Sequence, residues 1–309
     1  MTWASSTYFW CELALVDGRP QPSVAIEVVD GRFSSITVGA EPTAGAARLA
    51  GFTIPGLANA HSHAFHRALR SRTQADRGTF WTWRELMYRA AERLQPDSFH
   101  RLARATFAEM ALAGVTCVGE FHYLHHQPDG TPYADPNEMG EALMSAATEA
   151  GIRITLLDTL YLHGGLTDGG YAESSVAQRR FSDGSVGAWI ERVAALGSTD
   201  IRRIGAAIHS VRAVDPDAIG AVARWTANTG AVLHAHVSEQ PAENEACLAR
   251  HGRTPTGVLG DAGALSAGFT AVHATHVDDA EVVDLLVDRV ELVLAIRGDD
   301  FLVHGARAR

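Results

Sequence analysis

The sequence predicts an α/β protein in which a small N-terminal β unit, residues 1–50, precedes a (β/α) barrel, residues 51–309. From about residue 51, apolar strand-like runs alternate with helical patterns, as in a parallel sheet with crossover helices. Polar residues gather where these runs end, and barrel active sites lie at the carboxyl ends of the strands. Both observations favour a barrel over an open sheet.

The N-terminal unit reads as short strands joined by tight turns. An apolar-rich run over residues 8–16 ends at Asp17-Gly18. Two further runs, residues 23–29 and 32–38, flank Asp30-Gly31, which is a strong two-residue hairpin signal. We therefore expect an antiparallel unit ahead of the barrel.

The barrel region supplies seven candidate strands and seven helical patterns. The strands are residues 52–58, 115–121, 152–160, 204–208, 231–235, 270–273 and 290–296. The helices are residues 83–94, 96–113, 137–150, 186–196, 216–229, 242–250 and 279–287. Several helices end in Ala-Gly or Thr-Gly, a normal helix stop. The glycine-rich stretch 163–183 interrupts this pattern and is predicted to be a lid or substrate loop.

Composition narrows the class of partner. The chain of 309 residues has a net charge of −10 and no block of Lys or Arg, which argues against a nucleic-acid or anionic-membrane partner. Cys11, Cys117 and Cys247 are widely spaced, which fits a reducing compartment. The N-terminus shows no signal-peptide pattern. We expect a cytoplasmic enzyme with a small-molecule substrate, and a homodimer stays an open alternative.

Two histidine pairs indicate a metal site. His61 and His63 end one apolar run, and His234 and His236 end another. Alternate residues of a strand point the same way, so each pair can face one centre. Spacing does not separate His234 from His236, but Glu239, three residues on, favours His236 because it places a proton carrier beside the ion.

A third strand end carries His273 and His276. Either could polarise a substrate or orient a water molecule, while the other caps the strand. His273 directly follows the apolar run and is the favoured one. With the histidine pairs, this arrangement predicts a metal-activated hydrolase.

Four unusual segments carry a resemblance to a known family: Phe80-Trp-Thr-Trp-Arg-Glu-Leu-Met-Tyr88, Glu120-Phe-His-Tyr-Leu-His-His126, Ile208-His-Ser-Val-Arg-Ala-Val214 and Val272-His-Ala-Thr-His276. From about residue 8 to about 287, the chain resembles formimidoylglutamate deiminase, of the amidohydrolase superfamily. The resemblance implies an amidohydrolase-type (β/α)8 TIM-like barrel. It also implies hydrolysis of the formimino C–N bond of N-formimidoyl-L-glutamate to N-formyl-L-glutamate and ammonia, in histidine degradation.

The resemblance assigns roles to individual residues. It implies one Zn2+ per chain, or another divalent metal, on His61, His63 and His236, with Glu239 as general acid/base and His273 as the catalytic histidine. It implies these substrate contacts: Arg84, Tyr123, His209, Arg212 and His66, which stands where the family has glutamine. Two arginines suit a dicarboxylate substrate, because guanidinium groups bind carboxylates in a bidentate way.

The C-terminal segment departs from the family. The family is longer and has a metal-binding aspartate after its eighth strand, whereas residues 297–309 are too few for a crossover and another strand. Asp299 and Asp300 lie too near the seventh strand to take that role. We therefore expect a barrel incomplete at the C-terminus and at most feeble activity. Two alternatives stay open: a truncated, inactive family member, or a deaminase of another amidine, guanidine or aminopurine.

Overall fold

The computed structural model describes residues 6–72, 80–288 and 290–293. The chain divides into two compact units, of which the first ends at Leu57 and the second begins at Ala58. Within the described ranges, no helix has the length and apolar character needed to span a bilayer.

The first unit is a four-stranded sheet with the order β3-β2-β1-β4. Its strands are β1 Ser6–Val16, β2 Arg19–Val29, β3 Arg32–Val38 and β4 Ala47–Thr53. The antiparallel pairing of β1 with β2 and of β2 with β3 confirms the predicted hairpins. Asp30 and Gly31 both have positive φ, 50° and 75°, as a two-residue hairpin turn requires. The parallel pairing of β4 with β1 was not predicted.

The prediction of a single first barrel strand over residues 52–58 is wrong. Residues 52 and 53 end β4, and a new strand, β5, runs over Leu57–Ser62. Pro55-Gly56 separates the two strands, because proline cannot donate to a strand ladder and glycine weakens one. The apolar run thus divides between two different sheets.

The second unit contains a seven-stranded sheet with the order β13-β12-β11-β10-β7-β6-β5. Its other strands are β6 Val115–His122, β7 Arg153–Leu160, β10 Arg202–Ile208, β11 Leu233–Val237, β12 Phe269–His273 and β13 Glu291–Val293; β8 Gly165–Thr167 and β9 Gly170–Ala172 form a separate hairpin. The pairs from β6 to β13 are parallel. Sequential parallel strands confirm the predicted α/β barrel fold, with seven strands among the described residues.

The helices lie between these strands. They are α1 Phe80–Ala91, α2 Pro96–Leu112, α3 Glu138–Ala150, α4 Val186–Ala194, α5 Pro216–Thr229, α6 Pro241–His251, α7 Pro255–Asp261 and α8 Asp279–Val287. Proline begins α2, α5, α6 and α7, where its missing N–H costs nothing. The predicted glycine stops at Gly151 and Gly230 are confirmed as left-handed C-caps. Of these eight helices, only α7 was not predicted. It is short, and Thr254 and Pro255 form its N-terminus.

The stretch 163–183 is a packed segment. It contains the β8–β9 hairpin and a 3₁₀ helix, Val176–Phe181, whose residues Gln178, Arg180 and Phe181 are buried. The Arg180 carbonyl accepts hydrogen bonds from the backbone N–H groups of His125 and His126, at 3.1 and 2.9 Å. The segment is therefore tied to the loop that follows β6.

Some predictions fall outside the described residues. These are the extension of the seventh barrel strand to Ile296 and everything concerning residues 297–309, including Asp299 and Asp300.

Candidate metal centre and active site

Three of the predicted ligand histidines come together at the carboxyl ends of two strands. His61 lies in β5, His63 follows one residue after its end, and His236 lies in β11. The Nε2 atoms of His61 and His63 are 3.0 Å apart, and those of His63 and His236 are 3.3 Å apart. One nitrogen of each residue lies within 4.8 Å of the others, which suits a single metal ion.

Hydrogen bonds on the far side of two rings fix which nitrogen faces the centre. Nδ1 of His63 lies 2.9 Å from the Phe121 carbonyl oxygen, and Nδ1 of His236 lies 2.9 Å from the His209 carbonyl oxygen. A carbonyl only accepts, so each Nδ1 carries the hydrogen and each Nε2 presents a lone pair. The two facing lone pairs need a cation between them.

Protonation is a poor way to supply that cation. Burial lowers the pKa of His63 to about 3, and burial followed by the neighbouring histidines lowers the pKa of His236 well below its usual range. Both rings are therefore neutral near pH 7 and present free lone pairs.

The structure also separates His236 from His234. Both lie in β11 two residues apart and share a face, but the metal-sized group contains His236. His236 is the nearer of the two to the carboxyl end of the strand, where the barrel site lies. Burial lowers the pKa of His234 to about 4, so it is a neutral residue one layer deeper in the barrel.

Glu120 supports the segment that carries His61 and His63, and the sequence analysis gave it no role. Its Oε1 accepts a hydrogen bond of 2.6 Å from the Ala64 backbone N–H. Its side chain is buried, and burial raises its pKa to about 8 against the lowering effect of that bond and of a bond from Ser62. A carboxylate in the middle of an apolar strand, Val115–His122, was the signal that could have identified it.

Glu239 and Arg212 form an ion pair beside the histidines. Nη2 of Arg212 lies 3.1 Å from Oε2 of Glu239, and Nε lies 3.7 Å from a carboxylate oxygen of Glu243. Oε1 of Glu239 faces Nε2 of His273 at 3.8 Å. Burial raises the pKa of Glu243, against the lowering effect of Arg212. Glu239 and His273, the predicted catalytic residues, thus lie side by side, and Glu243 is a further partner of Arg212 that the sequence analysis missed.

Two strained backbone positions shape this corner. Ser238, between His236 and Glu239, has φ 48°, and His273 has φ 72°. Such values are costly for residues with a side chain and persist where the surrounding structure imposes them. His276 is exposed, whereas His273 is half-buried and faces Glu239; the catalytic role of His273 stays a prediction.

The predicted substrate contacts surround the histidines on the side of β6 and β10. Nε2 of His66 lies 3.0 Å from the Tyr123 hydroxyl. The ring of His209 contacts those of Tyr123 and His236, with centroids 5.4 and 5.3 Å apart. Arg84 donates from Nε to the Tyr88 hydroxyl at 2.7 Å. The charge of Arg84 also acts on His209, and the roles of these residues towards substrate stay predictions.

A second group of possible ligands, His122, His125 and Asp158, is held in a different way. The Asp158 carboxylate accepts two hydrogen bonds from Arg192, at 2.8 and 2.9 Å, and one from the Trp189 indole at 2.9 Å. Its charge is therefore already neutralised by a guanidinium group. This group is a buried ion-pair network that fixes the carboxyl end of β7, and it does not need a metal ion.

Comparison with known proteins decides the family. A model of the Amidohydrolase family matches residues 52–308. The chain belongs to the amidohydrolase family. It is 40% identical over 280 residues to formimidoylglutamate deiminase from Pseudomonas aeruginosa, covering 88% of this chain and 60% of that protein. The resemblance inferred from the sequence is therefore confirmed, and this amidohydrolase spans less than two thirds of that relative's length.

Solved structures agree on the fold. An amidohydrolase from Brucella melitensis superposes with a TM-score of 0.82 and 34% identity, covering 93% of this chain and 64% of that one. An atrazine chlorohydrolase from Arthrobacter aurescens, complexed with zinc, gives a TM-score of 0.76 at 22% identity, covering 94% and 65%. A 5-methylthioadenosine/S-adenosylhomocysteine deaminase from Moorella thermoacetica is 27% identical over 77% of this chain and 49% of its own length.

Proposed function

We propose that this amidohydrolase hydrolyses the formimino C–N bond of N-formimidoyl-L-glutamate, releasing ammonia and N-formyl-L-glutamate. The observation that carries the chemistry is the meeting of His61, His63 and His236 with the facing lone pairs of His63 and His236. The substrate rests on the likeness to formimidoylglutamate deiminase, on Arg212 beside Glu239, and on Arg84, whose charge acts on His209. Histidine degradation follows as the proposed role.

The three histidines would hold one divalent ion, and zinc is the proposed metal. Such an ion, when bound, lowers the pKa of a coordinated water molecule and polarises the group under attack. The rest of the chemistry belongs to this chain's residues. The carbonyl groups of Phe121 and His209 hold two of the rings in the productive tautomer.

Glu239 is the proposed proton carrier. Its carboxylate lies between Arg212 on one side and His273 on the other, at 3.1 and 3.8 Å. Arg212 orients the carboxylate, so that one oxygen remains directed to His273. In this arrangement Glu239 can receive a proton and deliver it to the departing nitrogen, while His273 stabilises the charge that develops.

Arg84 and Arg212 are the proposed partners of the two substrate carboxylates. The side chain of Arg212 is only 20% exposed, so water screens its attraction for a bound carboxylate only weakly. Local positive groups are needed because the chain as a whole carries a charge of −10. His66 and Tyr123, joined by their hydrogen bond, would contact the formimino end.

A substrate panel tests this proposal. The 309-residue chain is loaded with zinc and assayed for ammonia release from N-formimidoyl-L-glutamate, from a guanidino acid of the same length and from 5-methylthioadenosine. Preference for the first compound is the expected result. Turnover of the purine alone would contradict the proposed substrate, and failure to retain any divalent metal would favour an inactive family member.

The proposed compartment is the cytoplasm, and the three cysteines, all free thiols, support it. A homodimer stays a prediction.

A further inference from the structure

Tyr161 was not identified by the sequence analysis, yet its side chain is part of the site. It follows the last residue of β7 and is 5% exposed. Its ring packs against His209 with centroids 4.6 Å apart, and against Phe181 with centroids 5.5 Å apart. Since His209 also contacts His236, Tyr161 lies one residue away from the metal centre.

The hydrogen bonds of Gln178 fix the direction of the bond to Tyr161. Oε1 of Gln178 accepts from the Ser175 backbone N–H at 2.9 Å. Nε2 lies 3.0 Å from the Gly164 carbonyl oxygen and 2.6 Å from the Tyr161 hydroxyl. A flipped amide would place oxygen against the Gly164 carbonyl and nitrogen against an N–H donor. The amide orientation is therefore unambiguous.

The orientation of the Gln178 amide decides whether the Tyr161 hydroxyl donates or accepts in their hydrogen bond. Because the Gln178 amide donates, the Tyr161 oxygen accepts, and the phenolic hydrogen must point to a different acceptor. Among the described residues, the Tyr161 hydroxyl has a hydrogen bond to Gln178 and donates none. A buried O–H without an acceptor is unfavourable by about 1–3 kcal/mol. A group that arrives with the substrate would satisfy it.

The positive charges of Arg84 and Arg212 both act on the Tyr161 hydroxyl, which favours an anion as that group. Burial dominates and raises the pKa of Tyr161, but the charges of Arg84 and Arg212 both act on its hydroxyl in the opposite direction. The hydroxyl thus shares the electrostatic environment of the two proposed carboxylate partners. It remains protonated near neutral pH, and so it is a donor.

We propose that Tyr161 is a substrate-binding residue whose O–H donates to one of the two carboxylates of the substrate, with Gln178 as the positioning residue that fixes its polarity. This inference rests on the proposed dicarboxylate substrate. It adds a neutral donor to the two cationic ones. The 3₁₀ helix Val176–Phe181 then has a function, because it carries Gln178 to the pocket.

The test uses binding, so that it does not depend on turnover. Calorimetry of the zinc-loaded 309-residue chain with N-formyl-L-glutamate, the stable dicarboxylate product, compares wild type with Tyr161→Phe. The phenylalanine keeps the ring contacts and removes only the hydroxyl. We expect binding to weaken by roughly 10- to 100-fold, as for a lost hydrogen bond to a charged group, with zinc content unchanged. The matched control is Tyr133→Phe, whose hydroxyl donates to Gln95 at 2.8 Å outside the site, and which should bind as wild type does.

Two further arms sharpen the result. Gln178→Glu offers an acceptor to the Tyr161 hydroxyl and should reproduce the loss seen for Tyr161→Phe. With the two monoamide analogues of N-formyl-L-glutamate, the difference between wild type and Tyr161→Phe should disappear for the analogue that lacks the contacted carboxylate.

The outcomes separate this inference from the proposed function. Wild type that fails to bind the dicarboxylate overturns both. Wild type and Tyr161→Phe that bind it equally overturn the role of Tyr161 alone. A difference that persists with both monoamides shows that the hydroxyl does not contact a carboxylate, and it also overturns the inference.

Discussion

Substitution of Arg212 by alanine tests the ion-pair corner most directly. Arg212 contacts Glu239 at 3.1 Å and lies 3.7 Å from Glu243, and the three side chains are 20%, 18% and 0% exposed. A charge-assisted contact contributes about 1.5–3 kcal/mol, and low exposure places this one in the upper half of that range. We expect kcat/KM for N-formimidoyl-L-glutamate to fall roughly 30- to 150-fold, mainly through KM, with a smaller fall in kcat because Glu239 loses its orientation.

The variant also affects a buried carboxylate. Without Arg212, Glu243 loses the cation that opposes the effect of burial, so its raised pKa rises further. Arg212→Lys is the matched control, since it keeps the charge but loses the planar fork, and it should recover part of the affinity. Steady-state kinetics, calorimetry with N-formyl-L-glutamate and elemental analysis together give the result. A variant with normal KM, or one that loses its zinc, would refute the assignment of Arg212 to the substrate.

The remaining predictions concern the metal and the buried ion pair. His63→Ala should abolish zinc retention while His234→Ala preserves it; equal zinc contents by elemental analysis would contradict the choice of ligands. Arg192→Met leaves Asp158 and Asp183 buried without their cation and should lower the free energy of unfolding by about 3–5 kcal/mol in urea titrations, with zinc content unchanged; a loss under about 1 kcal/mol would show that the network matters little. Burial raises the pKa of Asp158, but Arg192 outweighs it and lowers the pKa from 3.8 to about 2. This contributes about 2 kcal/mol of stability above pH 4 that is lost as the pH falls to about 2, so the unfolding free energies of wild type and Asp158→Asn should converge over that interval. A difference independent of pH would show that Asp158 does not titrate as inferred.

Local signals in the sequence were enough for most of the fold. Helix α5 begins and ends as predicted because Asp215 caps a proline-led start and Gly230 ends it in the left-handed conformation. Helix α8 is bounded as predicted, with Asp278 as its N-cap. The hairpin at Asp30-Gly31 formed because both residues tolerate positive φ. These features depend on neighbouring residues, and they can be read from the chain directly.

The first barrel strand is an element that local sequence signals did not predict correctly. Residues 52–58 have the apolar character of one strand, but β4 pairs with β1 of the small sheet, and β5 joins the barrel. The proline and glycine at positions 55 and 56 mark the break. Which sheet accepts each half depends on partners that lie far away in the sequence.

The sequence by itself predicted the fold class, the histidine pairs as candidate metal ligands and Glu239 as a candidate proton carrier, because strand periodicity and residue chemistry are local properties. The sequence favoured His236 over His234 only through Glu239, whereas the tertiary structure brings His236 within ligand distance of His61 and His63 and leaves His234, on the same face, outside that group. The contacts of Glu243 with Arg212 and of Gln178 with Tyr161 are also known only from the tertiary structure, because a crossover or a loop separates the partners in the sequence. A side chain's neighbours across strands depend on register and packing, and the amino-acid spacing does not contain that information.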